Sequence, residues 1–321
     1  MAVITPITDD EARDLTREYG LGPLQRVEGI PAGSVNSNFA LELTGRRVFL
    51  RIYEEQDVAG AERETEMLER LAAAGVPTPA PLHRLDGRLV SDVRGKAAAI
   101  FPWRGGSMRC QASVTAEDTR SVGQALARVH VAGANEVAPV GRFRLEDLRI
   151  RLDAIAASPM GLASMAPVLR QALEDAHIRR DEGLPRGLIH GDLFRDNVLW
   201  QTGGSISALL DFESACEGTY AYDLMVCVLS WCFGDDLQGG LAVAMCEGYE
   251  SVRRLAPREL RALADEGTFA ALRFVITRMT DYSMRSVAGP RVIKDWRRFM
   301  KRFERLRSLG SDGLLRMLAR A

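Results

Sequence analysis

Short stretches in which apolar and polar residues alternate dominate the first third of the chain, and Gly and Pro separate them. Alternation of this kind is typical of half-buried strands, because successive side chains point to opposite faces of a sheet. Residues 57–74 instead have the apolar spacing of a helix. We therefore expect an antiparallel five-stranded sheet with one inserted helix. The predicted strands are residues 24–29, 37–43, 47–53, 82–89 and 96–102.

Helical periodicity takes over from Thr115 onward, where apolar residues return at the spacing of one helix face. A further helix is predicted near the start, where Thr8 and Glu11 have the spacing of a capping box. The pattern indicates an α+β fold with an N-terminal lobe, residues 1–103, and a larger, mainly helical C-terminal lobe, residues 104–321. The predicted helices of the second lobe cover residues 122–131, 145–156, 165–176 and the whole chain after Gly234.

The composition favours small-molecule partners. The 321 residues carry 42 Lys and Arg against 43 Asp and Glu, so no overall field attracts nucleic acid or a membrane surface. The basic residues 291–320 have amphipathic helical spacing, which favours a packed helix over a nucleic-acid patch. The 5 cysteines lack CxxC spacing and predict reduced thiols. No apolar stretch is long enough to span a bilayer, and we expect a cytoplasmic monomer or homodimer.

The strongest chemical pattern is residues 190–197, His-Gly-Asp-Leu-Phe-Arg-Asp-Asn, followed by an apolar strand that ends at Asp211. It matches the catalytic loop of kinases, H-x-D-x-x-x-x-N, with a downstream metal-binding Asp. Asp192 would accept the proton of an acceptor hydroxyl, and Asn197 and Asp211 would offer oxygen ligands to Mg²⁺. His190 would brace the loop. Turn formation and strand capping are the alternative roles, but the combined spacing favours catalysis.

Residues of the first lobe suggest a nucleotide site. Arg51 lies on a predicted strand where kinases carry a phosphate-binding lysine, and Glu64 of the next helix is its expected partner. Phe101 and Trp103 end the last strand, where a hinge would meet adenine. The alternatives are an edge-strand cation with solvated acids, and ordinary packing. A polar loop that could cover the phosphates, or simply turn the chain, contributes Ser34, Asn36, Ser37 and Asn38.

Six further polar or aromatic residues are candidates for substrate binding. Asp223 could instead bond back to the catalytic loop or act as a helix N-terminal acid. Arg278 and Asp281 are spaced to share one helix face, where they would either read a charged substrate or form a structural ion pair. The candidates are Glu213, Tyr222, Asp223, Trp231, Arg278 and Asp281.

Taken together these residues resemble the phosphotransferase enzyme family, which includes aminoglycoside and choline kinases, and most of all its bacterial homoserine kinase branch. The resemblance covers nearly the whole chain. It implies a bilobal protein-kinase-like fold, ATP and Mg²⁺ as cofactors, and transfer of the γ-phosphate to L-homoserine to give O-phospho-L-homoserine for threonine biosynthesis. The stretches that carry it are residues 36–39, 187–198, 221–224, 230–233 and 272–278.

Other functions remain open at this point. An aminoglycoside, choline or methylthioribose would use the same machinery, although Arg278 suits a carboxylate-bearing acceptor better. A protein kinase is disfavoured because Glu213 stands where the D-F-G motif has Gly. A non-catalytic nucleotide-binding regulator should have lost Asp192, Asn197 or Asp211, and the chain contains all of them.

Overall fold

The structure, a computed structural model, describes residues 3–31, 35–284 and 294–319. Ser34 and part of the predicted basic helix, residues 291–293 and 320, lie outside the described residues. In chain order the elements are α1 (Asp9–Glu18), β1 (Leu24–Gly29), β2 (Ser37–Leu43), β3 (Arg46–Ile52), α2 (Val58–Ala73), β4 (Val90–Val93), β5 (Lys96–Pro102), α3 (Ala116–Ala132), α4 (Leu145–Ala156), α5 (Met165–Arg179), β6 (Arg186–Ile189), β7 (Val198–Trp200), β8 (Ile206–Leu209), β9 (Cys216–Thr219), α6 (Tyr220–Trp231), α7 (Gly239–Glu250), α8 (Pro257–Arg278) and α9 (Arg297–Ala319).

The chain divides into two compact units. The first contains the described residues up to Gly106 together with Ser207–Leu210, and the second contains the other described residues. The sheet of the first unit has the order β1-β2-β3-β5-β4, and every neighbouring pair is antiparallel. The predicted antiparallel five-stranded sheet is confirmed.

The hydrophobic core of the first unit lies between α1 and one face of this sheet. The capping box predicted from Thr8 and Glu11 opens α1. Alternate residues of β3, namely Val48, Leu50 and Ile52, are buried, as a strand covered on one face requires. The apolar alternation of the sequence therefore sets which face of the sheet is covered.

The strand predicted at residues 82–89 is wrong, because the fourth strand is β4. A turn occupies the predicted segment: the N–H of Arg84 donates to the carbonyl of Arg88 at 2.8 Å, and Gly87 has φ of 84°. β4 and β5 are joined by a tight turn in which Arg94 and Gly95 both have positive φ. Local turn chemistry thus outweighed the apolar pattern.

The second unit is built around α6 and α8. All residues of α6 are buried, and α8 packs against both α6 and α9. α9 buries Phe299, Phe303 and Leu306, so the predicted amphipathic helix is confirmed. It is kinked at Gly310, whose φ of 61° and ψ of 179° are not helical. Within the described residues, no helix combines the length and apolar character needed to cross a membrane.

Two glycines allow α3 and α7 to cross at very short range. A Cβ atom on Gly123 would lie 2.1 Å from the carbonyl oxygen of Met245, and one on Gly248 would lie 2.0 Å from the carbonyl oxygen of Arg120. Real Cβ atoms do not approach backbone so closely, so any larger residue would force the helices apart. This crossing holds two side chains of the candidate site, His130 of α3 and Tyr249 of α7.

Candidate active site

The loop of residues 190–197 connects β6 to β7, and Asp223 of α6 holds its first part in place. The backbone N–H of His190 donates to Asp223 Oδ2 at 2.7 Å, and the N–H of Gly191 donates to Oδ1 at 2.8 Å. Gly191 has φ of 74°, and a Cβ there would lie 2.8 Å from the carbonyl oxygen of Ser214. The loop therefore needs glycine at this position.

A buried hydrogen-bond chain continues from Asp223 into the helical core. His130 Nε2 lies 3.0 Å from Asp223 Oδ2, and His130 Nδ1 lies 2.7 Å from the hydroxyl of Tyr249. A neutral ring that donates to Asp223 and accepts from Tyr249 satisfies both contacts. Burial lowers the pKa of His130. Burial alone would raise the pKa of Asp223, but hydrogen bonds from His130 and from the His190 backbone hold it below its usual range.

The geometry contradicts the predicted substrate contacts of Asp223 and Trp231. Asp223 is fully buried, and its two oxygens are occupied by the catalytic loop and His130. Trp231 is also fully buried, and its Nε1 donates to the carbonyl of Leu193 at 3.0 Å. Both side chains hold the loop through hydrogen bonds to its backbone. Of the alternatives for Asp223, the one in which it bonds back to the catalytic loop is therefore observed.

His190 and Asn197 brace the same loop from within. The ring of His190 is buried and lies 4.4 Å from the ring of Phe212. The side-chain amide of Asn197 donates from Nδ2 to the carbonyl of Asp192 at 2.7 Å. This bond fixes the orientation of the amide and leaves Oδ1 as the oxygen for another ligand.

Asp211 has a backbone conformation that few residues adopt. Its φ is 62° and its ψ is 65°, the left-handed region that Asp and Asn tolerate better than other non-glycine residues. Its Oδ1 is buried and has no hydrogen-bond partner among the residues that the structure describes. A buried carboxylate oxygen without a partner is costly unless a cation or donor satisfies it. The atom therefore fits a metal ligand.

A cation that the sequence reasoning missed lies beside Asp192. Arg273 Nη1 is 3.4 Å from Asp192 Oδ1, and the two side chains are 4% and 28% exposed. The guanidinium lies between Phe143 and Phe274, at 3.9 Å and 3.8 Å from their ring centroids. Arg273 lies within residues 272–278, one of the stretches that carry the family resemblance, but no spacing rule connected it with Asp192.

Arg278 and Asp281 form no ion pair with each other among the described residues. Arg278 Nη1 donates to the carbonyl of Asp295 at 3.1 Å, and burial lowers the pKa of Arg278 to about 10. Asp281 accepts from Arg151 at 2.6 Å, in a π-helical turn that follows α8. Of the two alternatives for Arg278 and Asp281, the structural ion pair is not observed, and among the described residues Arg151 is the ion-pair partner of Asp281.

A cavity of about 450 Å³ opens next to the catalytic loop, with Gly191, Ser214 and Tyr222 in its wall. Tyr222 is largely buried, and burial raises its pKa to about 12. Glu213 lies in the short 3-10 turn Phe212–Ser214 that follows Asp211. Tyr222 therefore lies in the wall of a cavity, as a binding residue requires. The substrate-binding roles of Tyr222 and Glu213 stay predictions.

In the first unit, the predicted pairing of Arg51 with Glu64 is present. Arg51 Nη1 lies 3.3 Å from Glu64 Oε1, and both side chains are largely buried. Gln56 donates to the other oxygen of Glu64 at 2.8 Å, and the hydroxyl of Tyr53 lies 3.4 Å from Oε1. Glu64 is therefore held rigidly and fixes the position of the cation.

Ser37 is occupied by contacts that do not suit the predicted phosphate contact. Its Oγ accepts from the N–H groups of Ile4 and Thr5 at 2.8 Å and 2.9 Å and donates to Glu54 at 2.5 Å. The side chain is fully buried and ties the start of the chain to β2. Burial, which the loop pattern did not reveal, therefore separates Ser37 from a phosphate.

The remaining candidates of the first unit differ in the groups that they contact. Asn36 Oδ1 accepts from the N–H of Glu54 at 3.1 Å, and Asn38 stands opposite Arg51 in the β2–β3 register. Phe101 is buried and packs on Phe49 at 6.2 Å. The ring of Trp103 is covered by a guanidinium, that of Arg47, at 3.8 Å.

Comparison with known proteins identifies the family. The profile of the phosphotransferase enzyme family matches residues 26–263. A homoserine kinase of Agrobacterium fabrum is 35% identical over 92% of this chain and 92% of its own length. A homoserine kinase of Chelativorans is 36% identical over 88% of both chains. The solved structure of the amicoumacin kinase hAmiN, with AMP-PNP and Ca²⁺, has a TM-score of 0.69 at 16% identity and covers 94% of this chain and 93% of its own. The chain is a member of the phosphotransferase enzyme family, and its protein-kinase-like fold is that of the family.

Proposed function

We propose that this protein is an ATP- and Mg²⁺-dependent kinase that transfers the γ-phosphate to the side-chain hydroxyl of L-homoserine. The product, O-phospho-L-homoserine, would serve threonine biosynthesis. The observation that carries the proposal is the length of the match, since homoserine kinases at 35% and 36% identity align over about nine tenths of the chain. The geometry of the catalytic loop supports it independently.

Asp192 is proposed to orient the acceptor hydroxyl and to accept its proton. Phosphoryl transfer asks little covalent work of a protein and depends on positioning and charge. The carboxylate of Asp192 is 28% exposed, whereas the loop that carries it is anchored to Asp223, and His190 within it is fully buried. An accessible carboxylate on a rigid support is what a positioning base requires.

Asn197 and Asp211 are proposed to hold the metal ion. Their oxygens are the hard ligands that Mg²⁺ prefers, and Mg²⁺ commonly keeps few protein ligands alongside phosphate and water. The unpartnered Oδ1 of Asp211 and the fixed amide of Asn197 fit this role. When bound, the ion would neutralise and orient the phosphate oxygens.

Residues of the first unit are proposed to bind the nucleotide. Arg51 would bind a phosphate, with Glu64 holding its guanidinium in place. Asn36 and Asn38 remain candidates for the phosphate loop, and Phe101 and Trp103 for the adenine side. The bound AMP-PNP of hAmiN supports a nucleotide site in this fold, because that protein shares the fold.

A coupled ADP-release assay tests the function. L-homoserine, choline, methylthioribose and an aminoglycoside would be offered to the purified protein with ATP and Mg²⁺, and ³¹P NMR would identify the product. We expect kcat/KM for L-homoserine to exceed that for each other acceptor by at least about 100-fold, since a site with hydrogen-bonding groups for the acceptor rejects analogues that leave those groups unpaired. A different preferred acceptor would contradict the proposed substrate and keep the kinase class. Absence of ADP release with every acceptor would overturn the proposed kinase activity.

A further inference from the structure

Arg273 of α8 is held rigidly beside the proposed base. Its Cζ lies 3.9 Å from the ring centroid of Phe143 and 3.8 Å from that of Phe274. Ring faces at this distance attract a guanidinium and restrict its orientation. Its N–H groups then point outward in the plane of the guanidinium and not toward the rings. One edge nitrogen, Nη1, is 3.4 Å from Asp192 Oδ1. Arg273 therefore presents a fixed positive charge next to the carboxylate that would meet the acceptor hydroxyl.

This guanidinium has unused hydrogen-bonding capacity. Within the part of the chain that the structure describes, it makes a single long hydrogen bond, the one to Asp192. Its Nε is buried and has no hydrogen-bond partner among residues 3–31, 35–284 and 294–319. A buried charged donor without a partner carries a desolvation cost that a ligand can relieve. The free donors of Arg273 are thus suited to an anionic group close to Asp192.

Arg278, the residue first expected to bind the acceptor carboxylate, is less suited to it. One nitrogen of Arg278 already donates to the carbonyl of Asp295, and its guanidinium covers Phe299 at 4.3 Å. The guanidinium of Arg273 instead lies directly against Asp192, with Nη1 3.4 Å from Oδ1. The observations therefore favour Arg273 over Arg278.

We propose that Arg273 binds the carboxylate of the acceptor amino acid and so sets the requirement for that group, an inference that rests on the proposed homoserine kinase function. The planar fork of a guanidinium matches a carboxylate with two parallel hydrogen bonds. L-homoserine carries its carboxylate a short chain away from its hydroxyl, so one end meets Arg273 while the other meets Asp192. The charge of Arg273 also offsets the repulsion between the substrate carboxylate and Asp192.

The experiment compares L-homoserine with 3-amino-1-propanol, the same molecule without its carboxylate. The second compound would be measured as a substrate or, where turnover is slow, as a competitive inhibitor of L-homoserine phosphorylation. For Arg273→Gln we expect the preference for L-homoserine over 3-amino-1-propanol to fall about 100-fold, mainly through a higher KM for L-homoserine, as expected when charge-assisted hydrogen bonds are lost. Arg273→Lys keeps the charge without the fork and should keep part of the preference.

A structural role for Arg273 gives a different result. If Arg273 only positions Asp192, Arg273→Gln lowers kcat for both compounds by the same factor and leaves the preference within about threefold of wild type; this outcome would overturn the inference. Arg170→Gln is the matched control, since Arg170 is a surface residue of α5 paired with the exposed Asp153. Should Arg273→Gln fail to fold by circular dichroism, the same comparison is made with Arg273→Lys.

The same measurements separate this inference from the proposed function. A wild-type protein that does not phosphorylate L-homoserine overturns the proposed function and the role of Arg273 with it. A wild-type protein that is active on L-homoserine, combined with an unchanged preference in the Arg273 variants, overturns the role of Arg273 alone.

Discussion

The side-chain amide of Asn197 donates to the backbone carbonyl of Asp192 at 2.7 Å. The bond closes the catalytic loop on itself and joins the proposed metal ligand to the residue proposed as base. Because both roles depend on one short segment, a change at either residue should affect phosphoryl transfer more than folding.

Asp192→Asn should lower kcat about 10²- to 10⁴-fold, since the variant keeps the shape of the side chain and loses the proton acceptor. The affinity for ATP should change little, which equilibrium binding of a nucleotide would show. Asp196→Asn, in the same loop, is the matched control because Asp196 is half-exposed and pairs only with Lys294 among the ion pairs of the described residues. A near wild-type kcat for Asp192→Asn would contradict the assigned base.

Asp211→Asn and Asp211→Ala should both lose activity, and they should differ in stability. Both remove the carboxylate, so both should lower kcat at least about 100-fold and raise the Mg²⁺ concentration for half-maximal rate. Asn tolerates the left-handed conformation at φ of 62°, whereas Ala should lower the free energy of unfolding by roughly 1–2 kcal/mol. Urea denaturation and a Mg²⁺ titration of the rate measure the two effects. An unchanged Mg²⁺ dependence would exclude Asp211 as the metal ligand.

Stability should depend on pH through His130. Burial lowers the pKa of His130 in the folded protein, so below the ordinary value of about 6.5 the unfolded chain binds more protons than the folded one. The free energy of unfolding should therefore fall as pH drops below about 6.5, by at most about 1.4 kcal/mol per pH unit from this residue.

His130→Gln should remove that slope, as measured by urea denaturation at several pH values. His83→Gln is the comparison, because its hydrogen bonds to the carbonyl of Gly87 and to Glu69 raise the pKa of His83. His83 thus contributes stability that is present at low pH and is lost as pH rises through its folded pKa, which is the opposite sign. If the free energy of unfolding of His130→Gln still fell as pH dropped below about 6.5, a group other than His130 would cause the pH dependence.

Arg51→Met should raise the KM for ATP at least about tenfold, because the charge that would contact a phosphate is lost. The KM for the acceptor should change little, as steady-state kinetics with either substrate varied would show. Arg46→Met on the same strand is the control, since Arg46 is exposed. If only the KM for the acceptor rose, Arg51 would contact the acceptor and not ATP, which would contradict its proposed role.

Patterns of local origin were predicted well. Alternation placed β1, β2 and β5 at their observed bounds, since it follows from which face of a strand is buried. The pairing of Arg51 with Glu64 was also predicted correctly. β3 is followed directly by α2, so few acidic residues lie within reach of Arg51. The position of β4 was missed because Gly87 and its neighbours form a turn that the apolar pattern does not report.

Polar residues of the core were assigned poorly. Asp223 and Trp231 were predicted to contact substrate, yet both are fully buried beneath the catalytic loop. A sequence shows that a residue can form hydrogen bonds but not whether its partner is a ligand or the protein itself. His130 was overlooked for the same reason, since its partner Asp223 is 93 positions away.

The sequence by itself determined the chemistry of this protein: a loop with an acid and an amide at kinase spacing, a second acid after an apolar strand, and the family to which they belong. Only the tertiary structure decided which charged groups meet. The contact of Arg273 with Asp192 joins residues 81 positions apart and depends on how α8 packs. Spacing along a chain fixes local geometry, whereas burial and pairing between distant residues arise when helices and sheet exclude water together.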